Sequence, residues 1–171
     1  MKKIKLFLAA CAAMVGLSAQ AQSWTAPTIQ GEDPVSGTQY KVMNVGAGTF
    51  LDMGKAFFSW STTAILSSTG IDFTMTADGD NWKFVRTGNQ GVFTSGNGIT
   101  GDAMHVDNTA QTYGITKLAN GTYHIHDAGG DASSTCWGYN SYFHTTGVVA
   151  HADATAANWN CEWLFVKPAI L

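Results

Sequence analysis

From residue 39 onward the chain is a series of short runs in which apolar and polar residues alternate. That is the period-2 signature of strands that bury one face. Tyr40-Lys41-Val42-Met43-Asn44-Val45 is the first run that opens on an aromatic. Trp82-Lys83-Phe84-Val85-Arg86 opens the same way 42 residues later, and Tyr123-His124-Ile125-His126 another 41 residues on. No stretch after residue 38 keeps a helical period. Gly, Asn, Asp and Ser punctuate the runs, as in all-β sandwiches and barrels.

The runs between these starts keep the same step. Second strands are predicted at Thr49-Phe50-Leu51-Asp52, Gly91-Val92-Phe93-Thr94 and Thr135-Cys136-Trp137-Gly138. Third strands fall at Thr63-Ala64-Ile65-Leu66, Met104-His105-Val106 and Gly147-Val148-Val149. Closing strands fall at Ile71-Asp72-Phe73-Thr74-Met75, Tyr113-Gly114-Ile115-Thr116 and Cys161-Glu162-Trp163-Leu164-Phe165. This makes an internal repeat of four strands, over residues of about 39–79, 80–120 and 121–168. Asp78-Gly79-Asp80 and Asn120-Gly121 precede the second and third rounds, and such pairs favour tight turns because they tolerate positive φ. The Asp78/Asp80 pair is therefore read as a turn; a calcium loop needs further carboxylates and a closing glutamate. One repeat cannot bury its apolar faces alone, so three must share a core, and closure about a pseudo-threefold axis removes exposed sheet edges. The predicted core is Val42, Leu51, Ile65, Phe73, Phe84, Val106, Ile115, Ile125, Val149 and Trp163.

The first residues break this pattern. Lys2, Lys3 and Lys5 precede an apolar run from Leu6 to about Leu17, and Ala19-Gln20-Ala21 supplies a small-x-small site. That order is the signature of a secretory signal peptide over residues 1–21. The apolar run is shorter than the roughly 20 residues a membrane span needs. Leu8-Ala9-Ala10-Cys11 also fits a lipoprotein signal, so Cys11 stands as the minority alternative to cleavage after Ala21. Residues 22–38, with Pro27, Pro34 and Gly37, read as a leader or loosely docked arm. The reading is thus an exported protein, secreted or periplasmic, with no transmembrane anchor once the signal is removed.

Cleavage alters the charge. The full chain carries 9 Lys+Arg against 12 Asp+Glu. Losing three lysines takes the net charge from −3 to −6. With one arginine, Arg86, and no basic stripe, a nucleic-acid partner is excluded. Cys136 and Cys161 remain. In an oxidising compartment they are expected to bridge, the alternative being two buried free thiols.

Three repeats of about 40 residues, each of four strands, resemble the ricin-type β-trefoil. Gly48-Thr49-Phe50-Leu51-Asp52-Met53 is similar to the Gly-x-Cys-Leu-Asp-Val segment of ricin-type lectin repeats. Cys161-Glu162-Trp163-Leu164 stands in the place of the family's Gln-x-Trp. Asn44-Val45-Gly46 and Gly48-x-Phe50-Leu51 also look like the trefoil modules of secreted bacterial proteins. The resemblance covers roughly residues 39–168 and implies an all-β trefoil of twelve short strands that binds carbohydrate. The chain departs from the pattern in that Ile71, Tyr113 and Cys161 replace the glutamine, and Trp163 alone keeps the tryptophan. The family's sugar-binding aspartate is matched at Asp52, whereas the second repeat has Thr94 and Ser95 nearby and the third has Gly138.

A sugar site needs an aromatic platform and fixed hydrogen-bonding groups. Two clusters offer both: Asn44 and Asp52 with Phe57, Phe58 and Trp60, and the segment with Trp137, Tyr139, Asn140, Tyr142 and His144. Loop aromatics favour binding; the competing reading is that these rings pack. His124 and His126 point to one face of a strand, but two imidazoles do not make a zinc site without a third ligand from His144, His151 or Asp127. No nucleophile elbow, zinc-protease helix or phosphate loop is present. The only glutamates are Glu32 and Glu162, short of the opposed carboxylates of a glycosidase. The expected function is a secreted, non-catalytic, lectin-like module that needs no cofactor and meets a glycan or cell-surface polysaccharide. A protein partner stays open: a protease-inhibitor trefoil using residues 55–61 or 97–102, or a structural module of an envelope assembly.

Overall fold

The computed structural model describes residues 30–55, 62–94, 103–141 and 147–168. The predicted signal segment, Cys11, Phe57, Phe58, Trp60, residues 97–102, Tyr142 and His144 lie outside the described residues.

Twelve strands follow one another: β1 (Gln39–Asn44), β2 (Thr49–Gly54), β3 (Thr63–Ser67), β4 (Asp72–Asp78), β5 (Asn81–Thr87), β6 (Gln90–Thr94), β7 (Met104–Thr109), β8 (Thr112–Lys117), β9 (Tyr123–Asp127), β10 (Cys136–Asn140), β11 (Val148–Ala152) and β12 (Trp163–Val166). All pairings between them are antiparallel. β1, β5 and β9 start at residues 39, 81 and 123, so the repeat is 42 residues. The predicted strands all coincide with observed ones, to within a few residues at each end.

Six strands close a ring. β1 pairs with β4, β4 with β5, β5 with β8, β8 with β9, β9 with β12, and β12 returns to β1. Each repeat gives its first and last strand to this barrel. Its two middle strands, β2–β3, β6–β7 or β10–β11, form a hairpin over one end. The hairpins meet through the Thr63 and His105 pairing and the Ala103 and Ala150 bridge. The chain is therefore an all-β trefoil.

Alternation along the strands fills the barrel. Tyr40, Val42, Phe73, Met75, Phe84, Ile125, Trp163 and Phe165 point inward, joined from the hairpins by Leu51, Val92, Met104, Val106, Trp137 and Val149. Most of the predicted core is here. Ile65 is a correction: it faces outward from β3 and packs with Val148, Ala150 and Trp159. It pairs with Asp52, and opposite residues share a face. Ile115 is half-buried against the edge of the core.

Residues 30–38 are docked rather than loose. The Glu32 amide donates to the Phe165 carbonyl at 2.8 Å, and Lys167 pairs with Glu32 at 2.5 Å. Asp33 takes Lys117 at 2.5 Å and accepts from the Tyr123 hydroxyl. The arm thereby ties β8, β9 and β12 together.

Candidate functional site

The register brings three positions into threefold correspondence. On the outward face of each cap hairpin, Asp52 stands opposite Ile65, Phe93 opposite His105, and Gly138 opposite Ala150. Each follows an inward-facing core residue, Leu51, Val92 or Trp137. One strand position therefore carries three chemistries.

In the first repeat it is a carboxylate. Asp52 is half-buried; its Oδ1 accepts from the Met53 amide at 2.8 Å and its Oδ2 from the Ser67 hydroxyl at 2.5 Å. The Ser67 oxygen itself accepts from the Gly70 amide at 2.8 Å. A carboxylate offers about four lone-pair sites, and these contacts occupy two. Asp52 is thus fixed in direction, with acceptor capacity that the described residues leave unused. The hairpin loop that leaves β2 a few residues later leads into the segment holding Phe57, Phe58 and Trp60.

In the second repeat the position holds Phe93, half-buried, its ring stacked on the His105 imidazole at 5.3 Å. The match is Phe93, not the neighbouring Thr94 or Ser95. Burial lowers the pKa of His105, which favours a neutral ring under Phe93. In the third repeat the position is closed. A side chain at Gly138 would meet the Ala152 Cβ at 2.5 Å, the Trp159 ring at 3.1 Å and the Cys161 Sγ at 3.2 Å.

The other expected ligands are placed elsewhere. Asn44 is fully buried; its Nδ2 donates to the Asn160 carbonyl at 2.8 Å and its Oδ1 accepts from the Ala47 amide at 3.0 Å. It fastens the β1–β2 turn to the chain before Cys161 and presents nothing to solvent. Trp137 is 0% exposed, with Phe84 at 4.6 Å and Tyr113 at 4.7 Å between ring centroids. It is a core residue on β10, not a loop platform. Tyr139, two residues on, shares its face and packs at the core edge, and Asn140 is buried. The third-repeat cluster, as far as it is described, is packing.

Cys136 and Cys161 are side by side but unbridged, both buried free thiols. A thiol hydrogen bond between them, followed by burial, pushes the Cys136 pKa upward. This corrects the expected bridge: both thiols are free, and that of Cys136 is held protonated. His126 spends Nε2 on Thr116 at 2.9 Å and Nδ1 on the Asp127 carbonyl at 2.9 Å, and His124 spends Nδ1 on the Ala132 carbonyl at 2.8 Å. Among the described residues no group of three or more His, Cys, Asp or Glu is arranged to hold a metal ion.

One buried polar cluster was not anticipated. His151 is 2% exposed, with Nε2 3.2 Å from the Thr94 hydroxyl and 3.3 Å from Asp127. The Thr94 hydroxyl lies 3.3 Å from that of Tyr113, which bonds Gln111 at 3.1 Å. Burial raises the Tyr113 pKa, so its hydroxyl stays a donor. The residues come from β6, β8, β9, β11 and the turn just before β8, and only the closed fold assembles them.

No protein-family model and no curated protein matches the sequence. Solved structures do. A ricin B-like lectin of Macrolepiota procera, determined in complex with lactose, is similar at 18% identity and a TM-score of 0.59, over 80% of this chain and 100% of that one. A salivary protein of Culex, from the Cysteine and Tryptophan-Rich family, is similar at 18% identity and 0.58, over 82% of this chain and 99% of that one. ThreeFoil, a designed threefold-symmetric protein, is similar at 16% identity and 0.57, over 75% and 98%. The fold these structures share with this chain is the β-trefoil.

Proposed function

We propose that this chain is an exported, non-catalytic carbohydrate-binding module whose ligand is held at the first repeat by Asp52. The observation that carries the reading is the asymmetry of the three equivalent positions. Asp52 alone presents a charged acceptor, held by the Ser67 hydroxyl and the Met53 amide, while Gly138 is covered. A carboxylate so fixed accepts from two adjacent sugar hydroxyls, and charge-assisted bonds of this kind are about twice as strong as neutral ones. The lactose-bound lectin of similar fold supports the same ligand class. The sequence between β2 and β3 also carries Trp60, an aromatic of the kind that stacks on the apolar face of a sugar.

A glycan array probed with the wild-type protein and with Asp52→Asn tests this. The wild type retains a defined set of glycans, and D52N loses at least tenfold in affinity with an unchanged far-UV spectrum. A blank wild-type array, or equal binding by D52N, overturns the reading. Export is checked separately: the protein recovered outside the cytoplasm starts at Gln22.

A further inference from the structure

The outward face of the β4–β5 hairpin forms an open cleft of about 560 Å³, lined by Thr74, Thr76, Lys83, Val85, Arg86 and Asn89 and closed by the turn at Thr109. That volume lies within the roughly 300–1,000 Å³ of small-molecule sites. The cleft is on the side of the barrel, away from Asp52. Its lining contains no aromatic ring and no carboxylate. It offers the three threonine hydroxyls and the Asn89 amide, which make no hydrogen bonds to the described residues, together with two cations.

The cations are placed by irregularities in the sheet. β5 runs from Val85 to Thr87 while β6 runs only from Gly91 to Gln90, which leaves Arg86 as an extra residue. β7 spends three steps, His105 to Asn108, against two on β6, Phe93 to Gly91. Each is a β-bulge, and bulges re-aim side chains. The second contains Asp107, whose φ of 72° is the only positive value among the described non-glycine residues. Strained backbone of this kind concentrates at ligand sites. The two bulges flank β6 and let the chain's one arginine meet Asp107 across it. Arg86 spends a single nitrogen there, Nη1 at 2.6 and 2.5 Å from the two carboxylate oxygens. The Nε and Nη2 edge, the fork that pairs with a second carboxylate, makes no bond to the described residues. Lys83, 38% exposed, is held by Asp78 at 2.8 Å from the far end.

We infer that this cleft is a second binding site, for a hydroxyl-rich ligand that carries a carboxylate, that is, an acidic saccharide. Arg86 takes the carboxylate through its free edge, Lys83 adds charge, and the threonines and Asn89 take ring hydroxyls. The site does not depend on Asp52.

Trigalacturonic acid is the probe, with its fully methyl-esterified, uncharged form as the control, read by amide chemical shifts on the ¹⁵N-labelled protein. The acid shifts the amides of Thr74, Thr76, Lys83 and Asn89 in a saturable way, and the ester binds at least tenfold more weakly. Arg86→Gln removes the preference for the acid. Because Arg86 also pairs within the fold, Thr76→Glu is the second variant: it adds a negative charge on an exposed side chain, leaves the melting curve unchanged and weakens the acid at least tenfold. Asp52→Asn leaves trigalacturonate binding intact, so failure at Asp52 and failure at the cleft are distinguishable. No shift in the cleft at millimolar acid, equal binding of acid and ester, or wild-type binding by T76E overturns the inference.

Discussion

Trp137 is where two readings of one residue part. As a sugar platform it would be exposed and nearly neutral for stability; as found, it touches Phe84 and Tyr113, and its carbonyl accepts the Trp163 indole at 2.8 Å. Trp137→Ala is therefore expected to cost about 3–5 kcal/mol, the range for emptying a buried aromatic site, seen as a lower urea midpoint. Trp137→Phe costs less, because the Trp137 Nε1 is itself a buried donor without a partner among the described residues. Part of this was legible. In Cys136-Trp137-Gly138-Tyr139-Asn140 the large rings alternate, as inward residues of a strand do, but so dense a run of aromatics fits a loop platform equally well. Asn44 was less legible, since its partner, Asn160, is remote in sequence. His105 gives a pH prediction. Burial holds its folded pKa below the ordinary value of 6.5, so the folded state resists protonation. Stability is then full above pH 6.5 and falls as pH drops from there toward the folded pKa. Urea midpoints at pH 7.5 and 5.5 check this, and His105→Gln flattens the part of the slope that His105 supplies.

At the scale of elements, the alternating runs located the strands because each strand buries one face in a common core. They did not reveal register irregularities, which depend on what the neighbouring strand does. Gly91 is an example. It sits on β6 between the two bulges, and a Cβ there would lie 1.9 Å from the Phe84 carbonyl oxygen and 2.9 Å from the Ala110 Cβ. The first obstacle is backbone and cannot rotate aside, so β6 would have to move away from β5. Gly91→Ala is expected to destabilise by about 1–3 kcal/mol, as overpacking does, measured by thermal or urea unfolding. A neutral result would mean that β6 lies farther from β5 than described. The control is Gly88→Ala at the neighbouring turn: its Cβ meets nothing within 4 Å, and its only cost is that of a φ of 61°. The docking of residues 30–38 was likewise beyond the sequence pattern, because Asp33 and Glu32 find their partners on β8, β9 and just beyond β12.

For the whole molecule, threefold repetition fixes the architecture while loss of symmetry at the surface leaves room for function. The 42-residue step survives at the inward positions, where all three repeats meet one core. At Asp52, Phe93 and Gly138 the correspondence of position persists but the residue type diverges, because nothing inside the barrel constrains the choice. That is why fold was readable in the sequence and the ligand site only at its one family-like position. The same geometry makes folding a collective property. The two barrel strands of the first repeat pair with each other, but their inward side chains Tyr40, Val42, Phe73 and Met75 pack against Phe84 from the second repeat and Trp163 and Phe165 from the third. β1 also pairs through Lys41, Val42, Met43 and Asn44 with β12, from the opposite end of the chain. A peptide of residues 39–79 thus lacks its core partners and three hydrogen-bonded neighbours, β12, β5 and β7. Its apolar area cannot offset a backbone ordering cost of roughly 1–2 kcal/mol per residue. It is expected to give a disordered far-UV spectrum and collapsed amide dispersion, while residues 30–171 unfold in one cooperative transition with coincident fluorescence and circular dichroism curves. A folded single repeat, or separate transitions in the intact chain, would show that the repeats hold independent cores, contrary to the shared barrel.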